Sequence, residues 1–239
     1  MNNLRQITSY VRCAVDKYDM INDGDSVAVG LSGGKDSLVL LASLAELRRF
    51  YPKKFKLSAV SLDPCFFGEE TDFSPVIELC RRLDVPYYIK RTNLWDVVFN
   101  QRREKNPCSF CAKMRRGILH DICVQNSCNV IALGHHMDDA AETFYMNLFN
   151  GGNISCFSPK SYLSQKNIHM IRPMIFVREK DVLSVSKKLS LPVVKSPCPV
   201  DRETERQKVK CLISELDKIY PGIVKKTIGA IQRKNIERW

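Results

Sequence analysis

The sequence predicts an α/β protein: a doubly wound, mostly parallel sheet with a short helical C-terminal extension. Two observations carry that prediction. Short apolar runs alternate along the chain with longer segments of helical periodicity, the order that strand–helix–strand units require. Turn-forming residues fall at the ends of those runs, at Ser32-Gly33-Gly34, Asp63-Pro64 and Gly134, where the chain must leave a strand and enter a connection. A chain of 239 residues that is 44% hydrophobic can bury the core of one large domain. Residues 1–24 read as an N-terminal helical segment, 25–199 as the main domain, and 200–239 as a basic helical extension.

The apolar run Ser26–Leu31 predicts the first strand, and Ser37–Arg49, with helical spacing, the helix after it. Lys56–Leu62 predicts a second strand that stops at Asp63-Pro64, since proline cannot donate to a ladder. Asp72–Leu83 places Val76, Leu79, Cys80 and Leu83 on one helical face. Pro86–Lys90 predicts a third strand, and Leu94–Arg103 a helix interrupted at Asn106-Pro107. From Ala112 to about Gln125, Met114, Ile118 and Ile122 recur at fourfold spacing and predict a helix. Asn129–Gly134 is a fourth strand and Asp138–Phe149 the next helix. The turn-rich stretch Asn150–Gln165 predicts a mobile loop over the site. His169–Phe176 predicts one more extended segment, broken by Pro173; helices follow at Glu179–Leu189, Glu203–Ile219 and Gly222–Lys234.

Ligands of doubly wound sheets bind beyond the carboxyl ends of the strands. Leu31-Ser32, Leu62-Asp63 and Leu133-Gly134 are therefore expected to converge on one edge. The first of them opens Ser32-Gly33-Gly34-Lys35-Asp36-Ser37. A glycine turn entering a helix offers backbone N–H groups to a phosphate. Asp36 after the lysine separates it from a Walker A loop, which needs Ser or Thr there.

Gly134-His135-His136-Met137-Asp138-Asp139 ends another strand on the same edge. Paired carboxylates there suit Mg2+, which binds one or two carboxylates together with phosphate oxygens. Asp138 is expected to cap the following helix and stays a second candidate for the metal, while Asp139 is given the metal or catalytic role. His135 and His136 have no matched ligand set and are read as orienting groups.

Cys108-Ser109-Phe110-Cys111 is a Cys-x-x-Cys pair, a spacing that fits zinc, an iron–sulfur cluster or a redox couple. No second such pair exists; Cys198, between Pro197 and Pro199, is the candidate third ligand. Three thiolates on a four-iron cluster would leave one iron open. Cys80 and Cys123 fall on apolar helix faces and read as core thiols, whereas Cys65 follows the Asp63 strand end.

The net charge of +11 favours a polyanionic partner. Arg102, Arg103, Lys113 and Arg116 crowd the cysteine pair, and Lys225, Lys226, Arg233, Lys234 and Arg238 line the tail. Phe66, Phe67 and Phe110 are candidates to support an unstacked base. Met1–Asp16 shows no export signal and no apolar stretch approaches the ~20 residues that span a bilayer. A cytoplasmic protein without membrane partners is expected, and its ten cysteines are not expected to form a disulfide framework.

Taken together, SGGKDS, CSFCAKMRRG, ALGHHMDDAAET and IRPMIFVREKDV resemble the tRNA 2-thiocytidine synthetase family of the PP-loop ATP pyrophosphatases, from about Asp25 to Cys198. The resemblance implies an adenine nucleotide alpha hydrolase-like domain over 25–199. It implies that ATP adenylates the C2 oxygen of a tRNA cytidine, at anticodon-loop position 32, and that sulfur then displaces AMP. ATP, Mg2+ and a [4Fe-4S] cluster are the implied cofactors. Cys108, Cys111 and Cys198 match the cluster ligands. Ser32, Gly33, Gly34, Lys35, Asp36, Ser37 and Gly134 match ATP-contacting positions, with Asp63 at the second strand end. Arg115, four residues after Cys111, sits where related thiolases place an ATP-contacting arginine. Lys35, Asp36 and Asp139 carry the catalytic roles. A sulfur donor such as a cysteine desulfurase is the implied partner beside tRNA, and family members often form homodimers. The chain departs from the family in reading Cys198-Pro199-Val200-Asp201, without the second cysteine often found there. Three alternatives stay open: a lysidine-synthetase-type ligase, which needs no cluster, a non-catalytic zinc-stabilised RNA-binding module, and sulfur insertion into a small molecule.

Overall fold

In the computed structural model, residues 3–101, 107–195, 198 and 205–239 are described, with backbone alone at 100, 101 and 107–109. A six-stranded sheet runs in the order β3-β2-β1-β4-β6-β5. Its centre is β1 (Ser26–Gly30), which pairs in parallel with β2 (Lys56–Asp63) on one side and β4 (Val130–Ala132) on the other. Outward from β2 lies β3 (Tyr87–Arg91), also parallel. Outward from β4 lies β6 (Ile168–Ile171), parallel, and then β5 (Lys160–Leu163), antiparallel to β6.

Both faces of the sheet are covered, as a parallel sheet requires. Period-two alternation sorts neighbours to opposite sides. Val27, Val29, Leu57, Ala59, Val130 and Ala132 join one cluster. Ala28, Val60 and Ile131 join the other, against Ile122 and Cys123 of α4 (Pro107–Gln125). The first side carries α1 (Leu4–Lys17), α2 (Lys35–Phe50), α3 (Ser74–Arg82), α5 (Met137–Gly151) and α6 (Glu179–Lys188). It also carries the C-terminal α7 (Glu205–Ile219) and α8 (Ile223–Arg233). Ile7 and Val11 at one end of the chain, and Val209, Ile228 and Trp239 at the other, share that cluster with the strands. The terminal Trp239 is held there by donating from Nε1 to the Phe157 carbonyl at 2.7 Å.

Three expectations need correction. Residues 160–163, read as part of a loop over the site, form edge strand β5, bonded to β6 through a turn that holds Asn167 at φ 53. A four-residue edge strand with Tyr162 half exposed buries too little to leave a clear apolar signature. Pro107 opens a helix rather than interrupting one, because a first-turn residue has no helical N–H partner to lose. The backbone of Cys108 and Cys111 therefore lies within the first five residues of α4, upstream of the predicted start at Ala112. Residues 96–101 of the segment read as a helix wind as a π-helix, and its end lies outside the described residues.

The strand order decides where a ligand can sit. From β1 the chain moves out to β2 and β3, then returns to the other side of β1 as β4. The two connections leave the sheet in opposite directions, so a crevice opens between the loops after β1 and β4.

Candidate active site

Ser32–Gly34 follow β1 and α2 begins at Lys35, with Gly34 as its N-cap and no side chain capping it. The first-turn N–H groups of α2 thus carry the partial positive charge of an uncapped helix start. The loop is braced from within. Ser37 Oγ donates to the Gly34 carbonyl at 3.0 Å and accepts from Ser32 N at 3.2 Å. Gly33 has φ +81, a conformation side chains rarely adopt, and its carbonyl accepts from Val194 N at 3.0 Å. A β-carbon at Gly33 would lie 3.0 Å from that of Val194. The segment before Cys198 therefore runs directly over the loop.

The β4 loop meets it at Gly134. A β-carbon there would lie 3.0 Å from Ser37 N and 3.1 Å from the Asp36 carbonyl carbon, so glycine is what lets the two loops touch. His136 then caps α5. Its Nδ1 accepts from Asp139 N at 3.3 Å while Asp139 Oδ2 accepts from His136 N at 2.8 Å. The expected cap was Asp138; the structure uses that carboxylate otherwise. Asp138 accepts from Arg178 Nε at 3.0 Å and from Glu179 N at 2.7 Å, tying α5 to the start of α6. With Nδ1 accepting, a neutral His136 carries its proton on Nε2, which faces Asp36 Oδ1 at 3.7 Å. His136 is 3% exposed and so fixes Asp36 and Asp139 relative to one another. His135 turns away: its ring packs on Phe157, and burial pushes its pKa down to about 4.

Lys35 Nζ donates to Asp36 Oδ2 and Glu179 Oε1, both at 3.1 Å. Burial draws its pKa down, but the two carboxylates outweigh burial and hold the ammonium form above its ordinary range. Glu179 is held at about 2: burial raises it, and Lys210 Nζ at 2.6 Å and Lys35 overcome that. Asp139 Oδ1 accepts from Arg206 Nη1 at 3.0 Å, and the same nitrogen lies 3.8 Å from Glu142 Oε2. Glu142 is 4% exposed, and burial together with Asp139 pushes its carboxyl up to about 7. Asp36, His136, Asp139, Glu142, Arg206 and Lys210 line a cleft of ≈ 370 Å³.

Glu142, Glu179, Arg206 and Lys210 were not found by sequence reasoning. The Arg178-Glu179-Lys180 stretch was visible as part of a motif without a role, and Arg206 and Lys210 share a helix face by their spacing of four. Nothing in the sequence says what that face meets.

Other expected site residues fall as follows. Asp63 ends β2 fully buried, and its carboxylate accepts from Cys65 N, Thr71 N and Thr71 Oγ1 at 2.8–3.1 Å. It therefore shapes the loop after β2 instead of presenting an oxygen to the cleft. Cys111 packs with Phe99 and Phe110 against Leu62 at the carboxyl end of β2, on the predicted edge. Arg115 is half-buried one turn further along α4, and Lys113 and Arg116 are exposed. Arg102, Arg103 and the Cys108 side chain lie outside the described residues. Phe66 is buried, whereas Phe67 is 62% exposed beside Trp95 at 4.7 Å, in an open pocket with Cys65 and Arg91.

The donor sets fit two inorganic groups. Asp36 and Asp139 offer hard oxygens to the cleft but no three-ligand cage exists among the described residues. That suits Mg2+, which keeps waters and takes phosphate oxygens. Thiolates suit an iron–sulfur cluster. Cys111 lies at the β2 end, and Cys198 is four residues beyond Val194, within about 14 Å of the loop contact by chain length.

Comparison with known proteins agrees with this architecture. A PP-loop domain model matches residues 5–215. The tRNA-cytidine(32) 2-sulfurtransferase of Citrifermentans bemidjiense is 35% identical over 229 residues, covering 95% of this chain and 89% of that protein. The enzyme of that name from Geobacter sulfurreducens is 33% identical over 236 residues, covering 97% and 91%. Among solved structures, the U34-tRNA thiolase NcsA from Methanococcus maripaludis, with its [4Fe-4S] cluster, superimposes with a TM-score of 0.78 at 28% identity. That alignment covers 96% of this chain and 77% of the other. The phosphate loop, the switch-point crevice and these relatives agree: the chain belongs to the PP-loop family and, within it, to the tRNA-cytidine(32) 2-sulfurtransferases.

Proposed function

We propose that the chain is an ATP-dependent tRNA-thiolating enzyme that converts a cytidine at position 32 of the anticodon loop to 2-thiocytidine. The carrying observation is the contact of the Ser32–Ser37 loop with the Gly134–Asp139 turn, which sets an uncapped helix start against two carboxylates. The C2 oxygen of cytidine is a poor leaving group. Its attack on the α-phosphorus of ATP expels pyrophosphate and leaves an adenylate; sulfur then forms a bond to C2 as AMP departs. The N–H groups at the start of α2 and Lys35 Nζ stabilise charge on the phosphates. Asp36 and Asp139 would hold Mg2+, which offsets the charge of the leaving pyrophosphate, with His136 keeping the carboxylates apart. Arg115 adds a cation from α4. Cys108, Cys111 and Cys198 would hold a [4Fe-4S] cluster, which supplies a site for sulfur beside the adenylate. Lys113, Arg116 and the basic stretch at 102–103 bind the tRNA phosphates. A cysteine desulfurase supplies the sulfur.

Supporting the cluster assignment is the thiolase named above with its cluster. The test is to incubate anaerobically prepared protein with ATP, Mg2+, sulfide, free lysine and unmodified tRNA, and to analyse the nucleosides by mass spectrometry. The expected product is 2-thiocytidine confined to position 32. Pyrophosphate release with lysidine formed, or with no sulfur in the tRNA, would overturn the proposal. Cys111→Ala and Cys198→Ala should each lose both the visible absorption of the cluster and thiolation while retaining ATP binding. A protein that thiolates fully without iron would refute the cluster role.

A further inference from the structure

We propose that Arg206 and Lys210 form a cationic arm that binds the β- and γ-phosphates of ATP, the two groups that leave as pyrophosphate. The inference rests on the ATP-dependent reading above and extends it to a helix that lies beyond every motif of the phosphate loop.

The two residues are four apart on α7, so they share one face. That face crosses the cleft: Arg206 Nη1 reaches Asp139 Oδ1 at 3.0 Å on α5, and Lys210 Nζ reaches Glu179 Oε2 at 2.6 Å on α6. Both side chains remain 42% exposed and line the same cleft as Asp36. Their charged tips are tethered to carboxylates, and both side chains line the cleft.

Charge decides what the arm is for. The cleft holds the carboxylates of Asp36, Asp139, Glu142 and Glu179 and three cations, Lys35, Arg206 and Lys210. It is close to neutral when empty of ligand. A triphosphate placed there brings up to four negative charges next to those carboxylates, an arrangement that like-charge repulsion forbids without rearrangement. A divalent cation held by Asp36 and Asp139 would relieve part of it, since such an ion suits carboxylates and phosphates alike. One acceptor is ready for it. Asp36 Oδ1 is buried and receives no well-directed hydrogen bond, although Lys35 Nζ stands 3.0 Å away. If a metal took up Asp139, Arg206 would give up its shortest ion pair and keep only Thr143 Oγ1 at 3.3 Å and Glu142 Oε2 at 3.8 Å, which leaves its guanidinium available to the phosphates. Lys210 and Lys35 likewise share one carboxylate, Glu179. Arginine and lysine are the side chains suited to phosphate oxygens, the first in bidentate geometry and the second as a point charge. The carboxylates thus act as placeholders, holding the arm in position until the phosphates arrive.

The test compares ligands that differ only in the phosphates the arm is assigned. Mg·ATP, Mg·pyrophosphate and AMP are titrated calorimetrically into the full chain and into Arg206→Ala, Lys210→Ala and Arg206→Lys, with melting curves recorded alongside. A charge-assisted phosphate contact predicts that each alanine variant weakens ATP and pyrophosphate roughly 10- to 100-fold while AMP stays within about twofold. Arg206→Lys should recover part of the loss. Glu179→Gln, which releases Lys35 and Lys210, should tighten pyrophosphate measured without metal. Unchanged ATP and pyrophosphate affinities in both alanine variants would overturn the arm, as would equal losses for AMP with a lowered melting temperature. If the unmodified chain binds no ATP at all, the ATP-dependent reading falls with it; if it binds and the variants match it, only the arm falls.

Discussion

Gly134→Ala tests whether contact between the two loops builds the site. The added methyl would lie 3.0 Å from Ser37 N, 3.1 Å from the Asp36 carbonyl carbon and 3.2 Å from the Asp36 oxygen. All three are backbone atoms, so no side chain can swing aside. The nearest is about 0.4 Å inside the 3.4 Å at which ordinary contact begins, and relief requires moving the first turn of α2 away from β4. Overpacking of this kind costs about 1–3 kcal/mol, which lowers the melting temperature by roughly 2–10 °C for a chain of this size. The displaced turn carries the N–H groups proposed to hold the phosphates, so ATP affinity should fall about tenfold. Thermal melts and calorimetric ATP titration read both quantities. Gly117→Ala is the control. It lies inside α4 with nothing within 4 Å of its would-be β-carbon, and should stabilise by about 0.5–1 kcal/mol, since glycine weakens a helix interior. A Gly134→Ala protein that melts and binds ATP like the parent would refute the reasoning.

Two further expectations concern stability. Glu142 titrates at about 7 in the folded chain against an ordinary 4.5, chiefly because it is buried. The folded state therefore binds this proton more tightly, and the group's contribution is full below pH 4.5 and lost as pH rises through 7, in all about 3 kcal/mol. Glu142→Gln should be the more stable protein at pH 8, measured by urea unfolding with EDTA and no nucleotide; curves that stay parallel from pH 5 to 8 would contradict this. Trp239→Ala removes an indole that is 6% exposed and bonded to Phe157, and should cost about 3–5 kcal/mol. A loss under 1 kcal/mol would show that the C-terminal segment is not docked on the domain.

Part of the candidate site is legible in the sequence alone. The glycines of Ser32–Ser37 and the acidic pair after Gly134 are local signals: each needs only its own strand end and helix start to be recognised. Asp138 shows the limit of such signals. An aspartate at a helix start reads as a cap, and choosing between it and His136 requires knowing that Arg178 and the start of α6 approach Asp138 from elsewhere. Asp63 repeats the lesson, since its carboxylate is taken up by Thr71, eight residues on. Strand β5 was missed because an edge strand of four residues with one exposed face carries almost no periodic signal.

By itself, the sequence determined the strand–helix alternation, the glycine loop at Ser32–Ser37, the acidic turn after Gly134 and the Cys108–Cys111 pair. Each is written in contiguous residues whose backbone preferences and side-chain chemistry act locally. Only the tertiary structure decided what surrounds them. The order β3-β2-β1-β4-β6-β5 put two loops about a hundred residues apart into van der Waals contact. Packing of α7 on α5 carried Arg206 and Lys210 into the cleft, and Val194 was laid across Gly33. Those contacts come from burying apolar faces at long range, so the charges they bring together have no signature in their own stretches of sequence.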